Sequence, residues 1–424
     1  MKKLWISLVF PVLFLLAGCC SIDREGMMFT DPNDFCGSDI EKIQSAINAA
    51  QKLGGKVRIP ARKPDQTSNR DFWLIDSAIL IPSNTTLLLD NCRIKLSDSS
   101  RDNMIRSANC GMGIKNVLPA SNIRICGIGK AILEGADNPR STGDGGKTLS
   151  LSPPKFPYSY GTDAEKAGES SRGDWRNIGI LLVEVSDFTL ENLNIIDSHC
   201  WAISLEYCKK GKISNLHFNS RGYKIINGEK KLTLNQDGLD LRRGCSDIDI
   251  ENIFGSTGDD LIALTALGSK VRRPGLPGTT GMCGAKENMR ENDTHDIRIR
   301  NVTGFCAGGH HIVRFLNASG VKLYNITLDN LLDTSPAGFR CKAAVKIGDS
   351  NPAWGGVTPL GDTHSFKLNN IVSRAKSAIL IGGSLSDSKI SQVVNLNPEN
   401  PVIVPQSGEN NIRNVETEEL ITVK

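Results

Sequence analysis

A short apolar segment closed by an asparagine or glutamine and one more aliphatic residue recurs seven times along this chain. The segments run from Phe188, Lys212, Ile248, Ile297, Val321, Phe366 and Lys389, and their closing residues are Asn192, Asn215, Asn252, Asn301, Asn325, Asn370 and Gln392. Steps between these anchors are 23, 37, 49, 24, 45 and 22 residues, which implies a unit of 22 to 24 residues with three loop insertions. A fixed period of this size is the signature of a stacked repeat. Within each unit, aliphatic and β-branched residues alternate over short stretches broken by Gly, Asn and Ser, as in Ile297, Ile299 and then Val302. Leucine-rich repeats share the period, but their regular leucine spacing is missing. The expected fold is all-β: a single right-handed parallel β-helix of three short strands per coil, with inward residues forming one continuous core. Asparagines at one turn position would form a side-chain ladder along the stack.

An end coil would expose that core, so a cap is needed. Ser38 with Glu41 has the form of a capping box, Ile40, Ile43, Ile47 and Ala50 share one helical face, and Gly54-Gly55 ends the run. The spacing therefore predicts a short capping helix at the N-terminal end. A chain of 424 residues exceeds what one compact core usually holds, yet no Pro/Ser-rich linker interrupts it. One elongated domain over 34–424 accounts for both facts.

Met1-Lys2-Lys3 followed by an apolar run to Leu16 reads as an export signal over 1–18, too short to span a membrane. The sequence Leu16-Ala17-Gly18-Cys19 has the form of a bacterial lipobox, with Cys19 lipidated and 19–33 as a tether. This predicts an exported lipoprotein, periplasmic or on the outer membrane or cell surface, held by its lipid alone. Beyond Cys19, eleven cysteines at irregular spacing leave at least one thiol free, and their pairing is not deducible. A net charge of +4 is too mild to indicate nucleic acid, although a local basic patch would suit an acidic polymer.

In a stacked fold, residues one unit apart lie about 4.8 Å apart on adjacent strands. Asp237, in Asn235-Gln-Asp-Gly-Leu-Asp240, and Asp260, in Gly258-Asp-Asp-Leu, are 23 residues apart. The next coil, beyond an insertion over 268–293, reads Gly309-His310-His311. Stacked carboxylates repel one another, so their convergence points to chemistry rather than stability. Crowding of carboxylates drives their pKa values apart, leaving one able to hold a proton while another is ionised. Neighbouring Asp259 and Asp260 face opposite sides of a regular strand, so both reach one cleft only on a bend, which Gly258 permits. No loop supplies the evenly spaced oxygens that calcium favours, so neither metal nor cofactor is expected.

The ordered set NQDG, GDD, GHH resembles the signature of glycoside hydrolase family 28, the polygalacturonase-like pectinases of the pectin-lyase-like superfamily. Asp197-Ser-His-Cys-Trp201 with Glu206-Tyr-Cys208 resembles the preceding coil of that family, and 40–60 its N-terminal cap; the likeness covers most of 34–395. The resemblance implies Asp259 as proton donor, Asp237 and Asp260 as activators of the attacking water, and His310 as a hydrogen-bonding support, with Asn235 at the substrate. It also implies two cations for a substrate carboxylate. Ala343-Ala-Val-Lys346-Ile-Gly348 matches that strand, with Lys346 where the family has Arg and Gly348 where it has Lys; the other alignment uses Arg340 and Lys342. Lysine lacks the bidentate fork of arginine, which weighs against plain polygalacturonate and towards a rhamnogalacturonan or another uronate-containing chain. Trp354, between Pro352 and Gly355-Gly356, offers a sugar-stacking surface, and Lys270, Arg272 and Arg273 lie in the insertion beside the Asp pair.

The function expected is inverting hydrolysis of an acidic pectic polysaccharide by a monomer. A polysaccharide lyase on the same fold and a noncatalytic glycan-binding β-helix are the alternatives, because fold does not fix function.

Overall fold

The computed structural model describes residues 20–22, 28–66, 68–100, 102–110, 114, 117–137, 177–233, 235–267 and 286–423. The export signal, Cys19 and the cations Lys270, Arg272 and Arg273 lie outside the described residues. The chain is a right-handed parallel β-helix whose strands fall mainly into two sheets of 16 and 10 strands. Among the described residues, no helix is long and apolar enough to cross a membrane.

Eight strands of the larger sheet run 11 to 13 residues, such as Val185–Ile196, Ser246–Thr257 and Thr294–Cys306. Each covers two of the three expected short strands, because the corner between them is a single left-handed residue. In Val185–Ile196 the inward residues are Val185, Phe188, Leu190, Leu193 and Ile195. Plain alternation is interrupted at Asp187 and Asn192, which have φ of 57°. One left-handed residue adds one position to the alternation and turns the chain without breaking the ladder. Asparagine and aspartate tolerate that conformation best after glycine.

Asparagines at the second corner form the expected ladder. Asn215 donates to Asn192 at 3.0 Å, Asn252 to Asn215 at 2.9 Å and Asn301 to Asn252 at 3.0 Å. The next rung is Asn330, which donates to Asn301 at 2.8 Å. This corrects the expected place of Asn325, which joins Asp296 on the other column of left-handed corners. Both corners take the same residue types for the same backbone reason, so the two columns look alike in sequence.

Inward residues stack in apolar columns: Ile250, Ile299, Leu328, Leu368 and Ile390 pair in succession and are essentially buried. Each contributes about 1.5–3 kcal/mol by leaving water. The helix α1 (Asp39–Ala50) closes the N-terminal end, with Ile43, Ala46, Ile47 and Ala50 on the core and Ile40 half-buried against it. Its capping box is complete: Ser38 N donates to Glu41 Oε2 at 2.7 Å and Glu41 N to Ser38 Oγ at 3.4 Å. After a single 3-10 turn, Gly54 and Gly55 take φ of 92° and 77°. A Cβ on Gly55 would lie 1.9 Å from the Asn84 carbonyl. Cys92, Cys126, Cys208, Cys245, Cys306 and Cys341, spread over successive coils, are free thiols.

The ten-stranded sheet carries the motifs. Its central strands are β1 (Ile203–Glu206), β2 (Leu239–Arg242), β3 (Ile262–Ala266), β4 (His311–Asn317) and β5 (Ala343–Ile347), paired in parallel in that order.

Candidate active site

The residues just before β2, β3, β4 and β5 stack on one another as they enter the sheet. Counting back from the paired strands puts Asp237, Asp260, His311 and Ala343 in one column. Gln236, Asp259, His310 and Lys342 form the column beside it. Backbone bonds fix this register: Gly238 N donates to Asp260 O at 3.0 Å, while Gly258 N and Asp259 N donate to Gln236 O at 3.0 and 3.1 Å. The expected bend falls at Gly258 and Asp259, which brings both members of the Asp pair to the same side. Three glycines of successive coils meet there. A Cβ on Gly258 would lie 2.4 Å from Gly222 Cα, and one on Gly308 would lie 1.9 Å from the Gly258 carbonyl oxygen. Only glycine allows coils to approach so closely. Gln236, buried in the motif, accepts from Gly222 N at 2.7 Å and donates to Ser198 O, clamping neighbouring coils.

Asp237, Asp259 and Asp260 each place a carboxylate oxygen within 4.8 Å of the other two. Such crowding separates their protonation. Burial, then the charge of Asp260, raises Asp259 to about 8, although its side chain remains 23% exposed. Burial pushes Asp260 the same way, but His311 and Arg314 outweigh it and hold this carboxyl down at about 2. Asp260 Oδ1 accepts from His311 N at 3.1 Å and pairs with His311 Nδ1 at 2.9 Å, while Arg314 Nη1 lies 3.6 Å from Oδ2. The site thus holds a proton on one carboxyl and a charge on the next.

Asp237 is buried among other carboxylates. Burial, and then the charges of Asp240, Asp259 and Asp260, push it well above the carboxylate range. It shares a hydrogen bond with Asp240, itself raised to about 7 by burial against the pull of Arg242. Asp237 Oδ1 accepts from Asp260 N at 2.9 Å.

The supporting histidine changes. His311, not His310, hydrogen-bonds a catalytic carboxylate; His310 is 43% exposed, with Nδ1 3.8 Å from Asp259 Oδ1. Since Asp260 sits one column over from Asp259, the residue stacked above it is the second histidine of the motif. Asn235 occupies a left-handed turn at φ 51°. Lys342 is exposed beside His310, donating its N–H to His310 O at 2.8 Å, and Arg340 is exposed nearby. Lys346 is buried with its ammonium 2.7 Å from Asp349 Oδ2.

Arg314, Asp349 and Asp240 were not singled out from the sequence. Asp240 closes the NQDGLD motif and could have been found by its two-residue alternation with the inward Leu239 and Leu241. Arg314 and Asp349 carry no local signal, because they meet only when β4 and β5 pair, with Arg314 opposite Lys346. Among the described residues, Asp237, Asp259 and Asp260 are also the one group of His, Cys, Asp and Glu side chains compact enough to share a cation. With Asp237 and Asp259 both raised, the charge resides on Asp260, which His311 and Arg314 already engage.

Residues 164–281 match the glycosyl hydrolases family 28, a span that contains Asp237, Asp259 and Asp260. No curated protein sequence matches the chain. The fold is similar to that of a hyperthermoactive exopolygalacturonase from Thermotoga maritima, at TM-score 0.55 and 16% identity over 89% of this chain and 88% of that one. A family 28 exopolygalacturonase from Yersinia enterocolitica aligns at TM-score 0.47 and 16% identity, over 93% of this chain and 78% of its own. A polygalacturonase from Erwinia carotovora aligns at 0.46 and 16%, over 92% and 95%. Over residues 164–281 the chain is thus similar to the glycosyl hydrolases of family 28, and its parallel β-helix is similar to that of the Thermotoga maritima enzyme.

Proposed function

We propose that the protein hydrolyses glycosidic bonds of an acidic, pectin-like polysaccharide with inversion at the anomeric carbon. One observation carries the reading: Asp237, Asp259 and Asp260 bring carboxylate oxygens within 4.8 Å of one another, with Asp260 paired to His311 Nδ1 at 2.9 Å and beside Arg314 while Asp259 stays partly exposed. Asp259 gives its proton to the glycosidic oxygen as the bond from that oxygen to the anomeric carbon breaks. Water forms the new bond to that carbon and passes a proton to Asp260, and Asp237 fixes the water. The short carboxyl spacing is nearer the roughly 5–5.5 Å of retaining enzymes than the roughly 6.5–9.5 Å of inverting ones. Attack by water is favoured instead by the state of Asp260, whose Oδ1 is held by two His311 contacts and whose Oδ2 faces Arg314. The family resemblance supports the same outcome. Attachment through a lipidated Cys19 belongs to the proposal on the strength of the Leu16–Cys19 sequence alone.

Purified protein acting on pectic fractions is expected to release reducing ends without ultraviolet absorbance; an absorbing, unsaturated product would mean elimination and overturn the reading. Proton NMR of the first-formed sugar is expected to show the anomer opposite to that of the cleaved linkage. The same anomer would make Asp260 a nucleophile.

The rate has a predictable pH profile. Asp259 is protonated below about 8, so kcat/KM falls as pH rises through about 8. A profile already falling through the ordinary carboxylate range near 4 would show that Asp259 is not the donor.

A further inference from the structure

Gln236 stands between Asn235 and Asp237 in the motif, yet its side chain directs both polar groups at main chain rather than at a carboxylate. The residue is fully buried. Its Oε1 accepts from Gly222 N at 2.7 Å, and its Nε2 donates to Ser198 O, one coil earlier. Its own carbonyl oxygen accepts from both N–H groups of the bend in the next coil, Gly258 at 3.0 Å and Asp259 at 3.1 Å. One residue thus ties three successive coils at the place where the chain turns to present Asp259. The contact is also close, since a Cβ on Gly258 would lie 2.3 Å from Gln236 Oε1. The amide is the surface on which the bend rests.

Gly222 is the root of a hairpin whose strands, Tyr223–Ile226 and Glu229–Leu232, pair antiparallel. Thr233 N closes this hairpin on Gly222 O at 2.9 Å. The hairpin leaves the coil just before the motif, and its root touches the bend: a Cβ on Gly258 would lie 2.4 Å from Gly222 Cα. Main chain here presents one N–H and one carbonyl oxygen. Glutamine supplies one acceptor and one donor to match them, with no charge added beside three carboxylates.

The two carboxylates that exchange protons are held in different ways. Asp260 is gripped through its side chain by His311 and Arg314. Asp259 is held through its main chain, with its N–H on Gln236 O and its carbonyl oxygen accepting from Thr257 Oγ1 at 2.7 Å, while its carboxyl stays partly exposed. A loosened bend therefore displaces the donor and spares the group that takes the proton of water.

Resting on the hydrolase reading above, we infer that Gln236 is a positioning residue for the acid: its ties to Ser198, Gly222 and the 258–259 bend hold Asp259 at the glycosidic oxygen.

The test measures kcat and KM of the full chain on pectin and on a nitrophenyl glycoside of a pectic oligosaccharide, whose phenol leaves without a proton from the acid. Gln236→Met keeps the length of the side chain and removes both amide bonds. It is expected to lower kcat on pectin about 10²-fold, the effect of about 1 Å of displacement at a reacting group, with KM within about threefold and kcat on the nitrophenyl substrate within about fivefold of the parent. Gln236→Asn, whose amide falls one methylene short of the main-chain groups, is expected to show the same split between substrates, and it decides alone should the methionine variant not fold. Equal losses on the two substrates would make Gln236 a residue of the fold only and overturn the inference. So would parental kcat on pectin in a folded variant. A parent protein that releases neither reducing ends nor nitrophenol would instead sink the hydrolase reading on which the inference rests.

Discussion

Asp259→Asn is expected to lower kcat on the natural polysaccharide by about 10²–10⁴-fold, the usual contribution of a positioned general acid, with the fold intact. The amide keeps the shape of the side chain and its place on the bend, and it removes the crowding that Asp259 and Asp260 impose on each other. A substrate whose leaving group is an acidic phenol needs no proton, so the variant should keep most of its activity there. Asp260→Asn should lose activity on both substrates, since water must still be activated. Initial rates on the two substrates, with thermal melts of each variant, check this. Asp259→Asn retaining activity within about tenfold of the parent on the polysaccharide would remove Asp259 from the role of donor.

Gly308→Ala, although outside every motif that carries a charge, is expected to be nearly as damaging. Its Cβ would lie 1.9 Å from the carbonyl oxygen of Gly258. No side-chain adjustment relieves a collision with backbone, so the coils must part at the bend that aims Asp259. Overpacking of this kind costs about 1–3 kcal/mol of stability, and a displacement of about 1 Å at a reacting group lowers the rate about 10²-fold. Denaturant melts and kcat measured on the same preparation separate the two effects. A folded Gly308→Ala protein with parental kcat would show that the glycine contact does not set the position of the acid.

The parallel β-helix was legible because its causes are local and repeated. Alternating aliphatics, a tolerant residue at each corner and a capped amphipathic helix at one end each act within a few residues, and repetition makes the weak signals add. The same locality explains the error at Asn325. Two corner columns have one backbone requirement and hence one residue preference, and only pairing across coils shows that Asn330 stacks on Asn301.

In the site, the sequence by itself determined which carboxylates meet. Asp237 and Asp260 are one coil apart, and a solenoid converts that separation into contact; Gly258 likewise announced the bend that adds Asp259. What only the tertiary structure decided is the state and engagement of each group. The raised pKa of Asp237 depends on burial and on Asp240, the charge on Asp260 depends on His311 rather than His310, and the engagement of Lys346 depends on Asp349. A pKa is set by the distance and desolvation of every neighbouring charge, and those neighbours come from separate coils whose intervening loops vary in length. Motif spacing therefore names the participants, while the stacking register assigns the proton, the charge and the counter-ion.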